Sequence, residues 1–234
     1  VPMPLKEDKG FAFDADEVLS LITPRTRLLI VNSPANPTGG TVPREQFDRL
    51  VAGLERHPQV AVMSDEIYGQ MLYDGREHVS LLSYPSLRDR LILLDGWSKT
   101  YAMTGWRLGY SIWPTALFSQ AERLAINCHS CVNASAQFAG LAALEGPQDA
   151  VHSMVAAFAE RRKVIVRALN QLPGVTCVEP GGAFYASRMR CSTRPVWRPC
   201  PGPPSVPMAK AICASPMPTR SRISRRRCAG SANC

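Results

Sequence analysis

Apolar positions recur along the chain in two alternating patterns. Arg27–Asn32 is a short apolar run (RLLIVN) and reads as a buried strand, and Arg44–His57 carries Leu50, Val51 and Leu54 at helical spacing and reads as an amphipathic helix. The alternation then repeats. Val60–Met63 predicts a second buried strand ending in Ser64-Asp65-Glu66, and Leu91–Leu94 a third ending in Asp95-Gly96-Trp97-Ser98-Lys99. Gly109–Trp113 suits one more strand. Pro114 opens a helical stretch interrupted near Cys128–Asn133, and Gln148–Leu172 predicts a long helix closed by Pro173-Gly174. Interleaved helices and strands predict an α/β fold, a mostly parallel sheet flanked by helices, with its ligand crevice at the carboxyl ends of the strands.

Composition changes that picture only at the C-terminus. The 234 residues are 45% hydrophobic and 20% charged, ordinary for a globular chain, and no run of about 18 apolar residues is present to span a membrane. The net charge of +8 points to a nucleic-acid partner until it is located. From Arg188 to Cys234 there are ten Lys and Arg and no acid, which leaves residues 1–187 with 17 basic against 19 acidic groups. This tail also holds five of the eight Cys and eight of the 20 Pro, without metal-ligand spacing. It is expected to be disordered. A basic arm on a phosphate backbone is one reading; a segment read out of frame is the favoured one, since nine of the ten charges are Arg. Codons chosen for Cys191–Cys234 and read one base earlier give a charge-balanced, periodic segment containing LRISYANS. The start at Val1, with no leader-like segment, is expected to mark a fragment, and few Cys in the body fit a reducing cytoplasm.

Three motifs sit where strands should end. Asn36-Pro37-Thr38-Gly39-Gly40 is by itself a turn, and Asp65-Glu66-Ile67-Tyr68 by itself a helix cap with a packed ring. The third, Ser98-Lys99 with Arg107 eight residues after the lysine, is harder to read as scaffolding. A lysine directly after a buried strand must be desolvated or engaged, and the chain has few lysines. Cys128-His129-Ser130-Cys131 lacks a second ligand pair, so no metal is expected. His57, His78 and His152 read as surface or helix-end residues, and Arg161-Arg162-Lys163 as a solvated helix face.

Taken together, and in this order, the motifs resemble the fold-type I pyridoxal-phosphate enzymes, specifically the class I/II aminotransferases, with Gly181-Gly182-Ala183-Phe184-Tyr185 matching a small-domain turn of that family. The resemblance implies pyridoxal 5'-phosphate as cofactor and transamination between an L-amino acid and a 2-oxo acid. It implies Lys99 as the catalytic residue forming the aldimine and shuttling a proton, and Asp65 as partner of the pyridine nitrogen. Asn36 and Tyr68 would serve the ring oxygen, Ser98 and Arg107 the phosphate. Gly96 stands where a phosphate-binding Ser is frequent, which puts that hydroxyl in question. The resemblance covers residues 1–187 and implies a partial cofactor-binding large domain over 1–148 and a partial small domain over 149–187. It also implies a homodimer. The carboxylate-clamping Arg of an L-R-I-S strand is missing as written, so impaired activity is expected. A lyase or decarboxylase of the same fold, and a non-catalytic fragment with a nucleic-acid-binding tail, are the alternatives. Sequencing the coding DNA is expected to reveal the L-R-I-S strand one base out of frame across codons 191–234; an uninterrupted frame as written overturns that reading.

Overall fold

The computed structural model describes residues 1–191. Its first helix, α1 (Ala15–Ser20), begins where the Asp14 carboxylate accepts the otherwise unpaired N–H groups of Asp16 and Glu17. Strand β1 (Leu28–Asn32) follows, then α2 (Arg44–Leu54) and β2 (Ala61–Asp65). The last carbonyls of α2 and the segment after it are met by Arg90, whose guanidinium donates to Leu54 O and His57 O. Helix α2 therefore stops three residues short of the predicted His57.

Strand β3 (Leu91–Gly96) is followed by the single turn α3 (Trp97–Thr100) and by β4 (Gly109–Ile112). The sheet order is β1-β2-β3-β4, with the first three strands parallel and β4 antiparallel to β3. The expectation of a mostly parallel α/β sheet flanked by helices holds. Helix α4 (Thr115–His129) and α5 (Ala134–Glu145) are separated at the predicted break, and α6 (Asp149–Asn170) matches the long predicted helix. Two short strands, β5 (Val175–Cys177) and β6 (Arg188–Cys191), form a second, antiparallel sheet.

Strand β6 departs from the expected disorder of the tail from Arg188. Its backbone finds a ladder along β5, and ladder hydrogen bonds need no apolar side-chain pattern. The rest of the tail, with the out-of-frame reading attached to it, lies outside the described residues.

The main core packs α1 and α2 on one face of the sheet. Phe13, Leu50, Leu54, Val60, Val62, Leu81 and Leu87 are fully buried there. Ile30 of β1 is 59% exposed, and much of the apolar surface of α4 and α5, including Phe118, Ile126 and Phe138, is exposed as well. Among the described residues no helix is long and apolar enough to cross a membrane.

Leu50→Ala is expected to lower unfolding stability by about 3 kcal/mol, since Leu50 is completely buried at the centre of this core. Urea denaturation followed by circular dichroism checks the loss.

Candidate active site

Parallel pairing brings the chemistry-bearing strand ends level. Asn32, the last residue of β1, is in register with Asp65, the last of β2, and Asp65 with Leu94, which precedes Asp95-Gly96 in β3. Asn32 ties the first two ends together. Its Nδ2 donates to Asp65 O at 3.0 Å, and its Oδ1 accepts the N–H of Asn36 at 2.7 Å, holding the Asn36 turn over the strand end. The turn carries cis peptides at Ser33-Pro34 and Asn36-Pro37. Gly39 has φ +68°, and a Cβ there would lie 2.4 Å from Pro180 Cβ, so glycine is required twice over.

Gly96 is decided by a different constraint. A Cβ on it would come within 2.7 Å of Gly109 Cα, its ladder partner on β4. The absence of a Ser at this position follows from the close approach of two backbones.

The Lys99 amine projects from α3 toward two aromatic rings, 5.7 Å from the centroid of Tyr68 and 5.4 Å from that of Phe184. Among the described residues no carboxylate is ion-paired with it. Asp65 is half-buried, its Oδ1 accepting the Ile67 N–H at 3.3 Å. Burial pushes the Asp65 carboxyl above its ordinary range and the charge of Glu66 adds to that; the Ile67 hydrogen bond and the nearby Lys99 ammonium act against it.

Tyr68 is buried, and its hydroxyl lies 2.6 Å from that of Tyr185. Burial above all pushes the Tyr68 phenol well above its usual range, so it keeps its proton at neutral pH. The predicted residues are thus brought together unevenly. Lys99, Tyr68 and Asp65 converge, and Asn36 is held beside them with its exposed side chain making no hydrogen bond among the described residues. Ser98 is half-buried next to Lys99. Arg107 is exposed at φ +56°, its Nη1 donating to Thr104 O at 3.0 Å.

Several contributors escaped sequence reasoning. Asn32 carries the same signal as Asp65, a polar residue closing an apolar strand, whereas Tyr185 and Phe184, marked in the sequence only as part of a family turn, reach Tyr68 from over a hundred residues away. His78 is only half-buried, but it is engaged: it sits 2.7 Å from Oε2 of buried Glu66, whose Oε1 accepts from Ser64 Oγ and Leu81 N. Arg162 likewise leaves the solvated face expected of it. It is 5% exposed, with its Nη atoms on both Asp74 oxygens at 2.8 and 2.6 Å and on Pro180 O, and its guanidinium 4.6 Å from the Tyr73 ring. Helical spacing could not reveal that partner, which comes from a loop 88 residues upstream.

A family model for aminotransferases of class I and II matches residues 1–195. The chain belongs to that family. The aspartate/prephenate aminotransferase of Nitrosomonas europaea is 39% identical over 180 residues, 76% of this chain and 45% of the relative. The arginine–pyruvate transaminase of Pseudomonas aeruginosa is 38% identical over 185 residues, 79% of this chain and 47% of that protein. Among solved structures, the aspartate aminotransferase of Rhizobium meliloti superposes with a TM-score of 0.76 at 36% identity, over 80% of this chain and 47% of that one. This aminotransferase-family chain therefore spans about half the length of the relatives it matches. Aspartate aminotransferases of the family use pyridoxal 5'-phosphate.

Glu66 offers a test of the strand-end architecture. Although burial opposes it, the hydrogen bonds from His78, Ser80, Ser64 and Leu81 hold its carboxyl below the ordinary 4.5. A folded-state value below the unfolded one gives stability that is complete above pH 4.5 and lost as pH falls through the folded-state value. Glu66→Gln is expected to flatten the acid-side fall in the urea midpoint below pH 4.5, and an equal slope in the variant would refute this.

Proposed function

We propose that this chain carries the lysine-bearing part of a pyridoxal-phosphate aminotransferase that moves an amino group from an L-amino acid to a 2-oxo acid. The observation that carries the reading is the Lys99 amine at a strand end, free of any carboxylate partner among the described residues and facing Tyr68 and Phe184, with Asp65 at the neighbouring strand end. The family membership and the relatives' names supply the reaction class.

The donor set fits a phosphorylated hydroxypyridine aldehyde. An unpaired amine suits its carbonyl carbon, and a half-buried carboxylate with one oxygen uncommitted suits a ring N–H. A protonated phenol and an amide with no hydrogen-bond partner suit the ring oxygen; a hydroxyl and a guanidinium suit the phosphate. Pyridoxal phosphate, when bound, supplies an electron sink for breaking the substrate Cα–H bond.

The chain's own residues do the rest. Lys99 anchors the cofactor and, once released, takes the proton from the substrate Cα. Asp65, raised by burial, supplies a negative charge that gains most when a cationic N–H comes to it. Tyr68 keeps its proton and so can donate it to the ring oxygen. Asn36, tethered through Asn32, presents its amide to the same side, and Ser98 and Arg107 hold the phosphate after Arg107 leaves Thr104 O. The same reading divides the chain into a cofactor part over 1–148 and the start of a small domain over 149–187. It also takes the exposed Leu117, Phe118, Leu124 and Phe138 as surface for a cytoplasmic homodimer.

Incubation with pyridoxal 5'-phosphate followed by borohydride reduction is expected to add one reduced cofactor to the intact chain, located at Lys99 by peptide mass. Lys99→Ala should abolish that adduct and cut any transamination by at least about 100-fold. An intact chain that stays unlabelled, or labelling that survives in Lys99→Ala, overturns the proposal.

A further inference from the structure

The Tyr68–Tyr185 contact is not explained by packing alone. The Tyr68 ring already has edge-on neighbours in Phe184 and Tyr185, at 5.4 and 5.6 Å between centroids, yet the two hydroxyls also meet at 2.6 Å. Two hydroxyls bring two protons. One is spent between them, which leaves the other free to be donated outward. Tyr185 is itself held from several directions. Gly182 N–H donates to Gly39 O at 2.9 Å, Ala183 N–H to Met71 O at 2.8 Å, and Phe158 of α6 stacks on Phe184 at 5.6 Å.

We infer that Tyr185 is a positioning residue for the proposed reaction: its hydroxyl fixes the Tyr68 hydroxyl and, by donating to it, strengthens the hydrogen bond that Tyr68 gives to the cofactor's ring oxygen. This rests on the functional reading above. The physical reason is cooperativity, because a hydroxyl that accepts a hydrogen bond becomes a better donor, most of all where water is scarce. The charged and titratable groups facing Tyr68 are Asp65 from the end of β2, Lys99 from α3 and Tyr185 itself. Lys99 is the loading residue and Asp65 faces the ring nitrogen, so neither supplies a hydrogen bond to the Tyr68 oxygen. The Gly181–Tyr185 turn, pinned to both site loops, thereby sets how readily the bound ring oxygen carries negative charge.

The test uses the full chain loaded with pyridoxal 5'-phosphate and reads the pH midpoint of its visible absorption. Tyr185→Phe keeps the ring and loses the hydroxyl. It is expected to raise the midpoint by about half a pH unit while leaving the urea midpoint near that of the unmodified chain. Tyr84→Phe, which removes a hydroxyl that donates to Asp48 outside the site, should leave the spectral midpoint unmoved. In a Tyr68→Phe background the Tyr185→Phe shift should vanish, since the effect passes through Tyr68. A loaded Tyr185→Phe chain with an unmoved spectral midpoint overturns the inference, as does a shift that persists without the Tyr68 hydroxyl. An unsubstituted chain that takes up no cofactor overturns the functional reading, and this inference falls with it.

Discussion

Three backbone hydrogen bonds join the Gly181–Ala183 turn to two loops far upstream: Gly182 N to Gly39 O, Tyr73 N to Gly181 O and Ala183 N to Met71 O. The Tyr73 hydroxyl adds a fourth link, to Ala183 O. Backbone groups buried at such a junction must find partners, and each loop supplies what the other lacks. The candidate site depends on this stitch. Without it neither Phe184 nor Tyr185 would stand beside Lys99 and Tyr68, and the Asn36 turn would lose the wall against which Gly39 is packed.

A charged clamp reinforces the junction from outside. Arg162 of α6 grips Asp74 with both terminal nitrogens and holds Pro180 O with one of them, so helix, upstream loop and turn share a single guanidinium. That hydrogen-bonded ion pair holds the Asp74 carboxyl down at about 2. Asp74 is half exposed, and solvent screening keeps its energetic contribution modest. The clamp's value lies in geometry, because a bidentate fork permits few orientations of α6 relative to the loop.

The strand ends follow a second constraint, that of register. Parallel pairing levels Asn32, Asp65 and Leu94, and the residues immediately following turn outward, where the next helix or turn starts. Side chains there escape the apolar faces of the sheet without leaving its rigidity, which suits groups that must be held in place against a ligand. The close approach of Gly96 to Gly109 extends the same frame to β4 and excludes a side chain at the position before α3.

Much of this was legible in the chain itself. Short apolar runs bounded by polar residues marked β1 to β3 to within a few positions, because strands of a parallel sheet carry continuous apolar runs, although β1 is not buried as expected: its Leu28 and Ile30 are exposed. The ordered motifs around Asn36, Asp65 and Lys99 marked the site, because the loops that follow such strands are local in sequence. Tertiary structure alone decided the remainder. It turned β4 antiparallel, gave β6 a partner in β5, buried Arg162 against Asp74, paired His78 with Glu66, and brought Tyr185 to Tyr68 across 117 residues. Each of these depends on a partner from a distant segment, and neither periodicity nor composition encodes the identity of a distant partner; only closure of the chain brings the two hydrogen-bonding groups within reach.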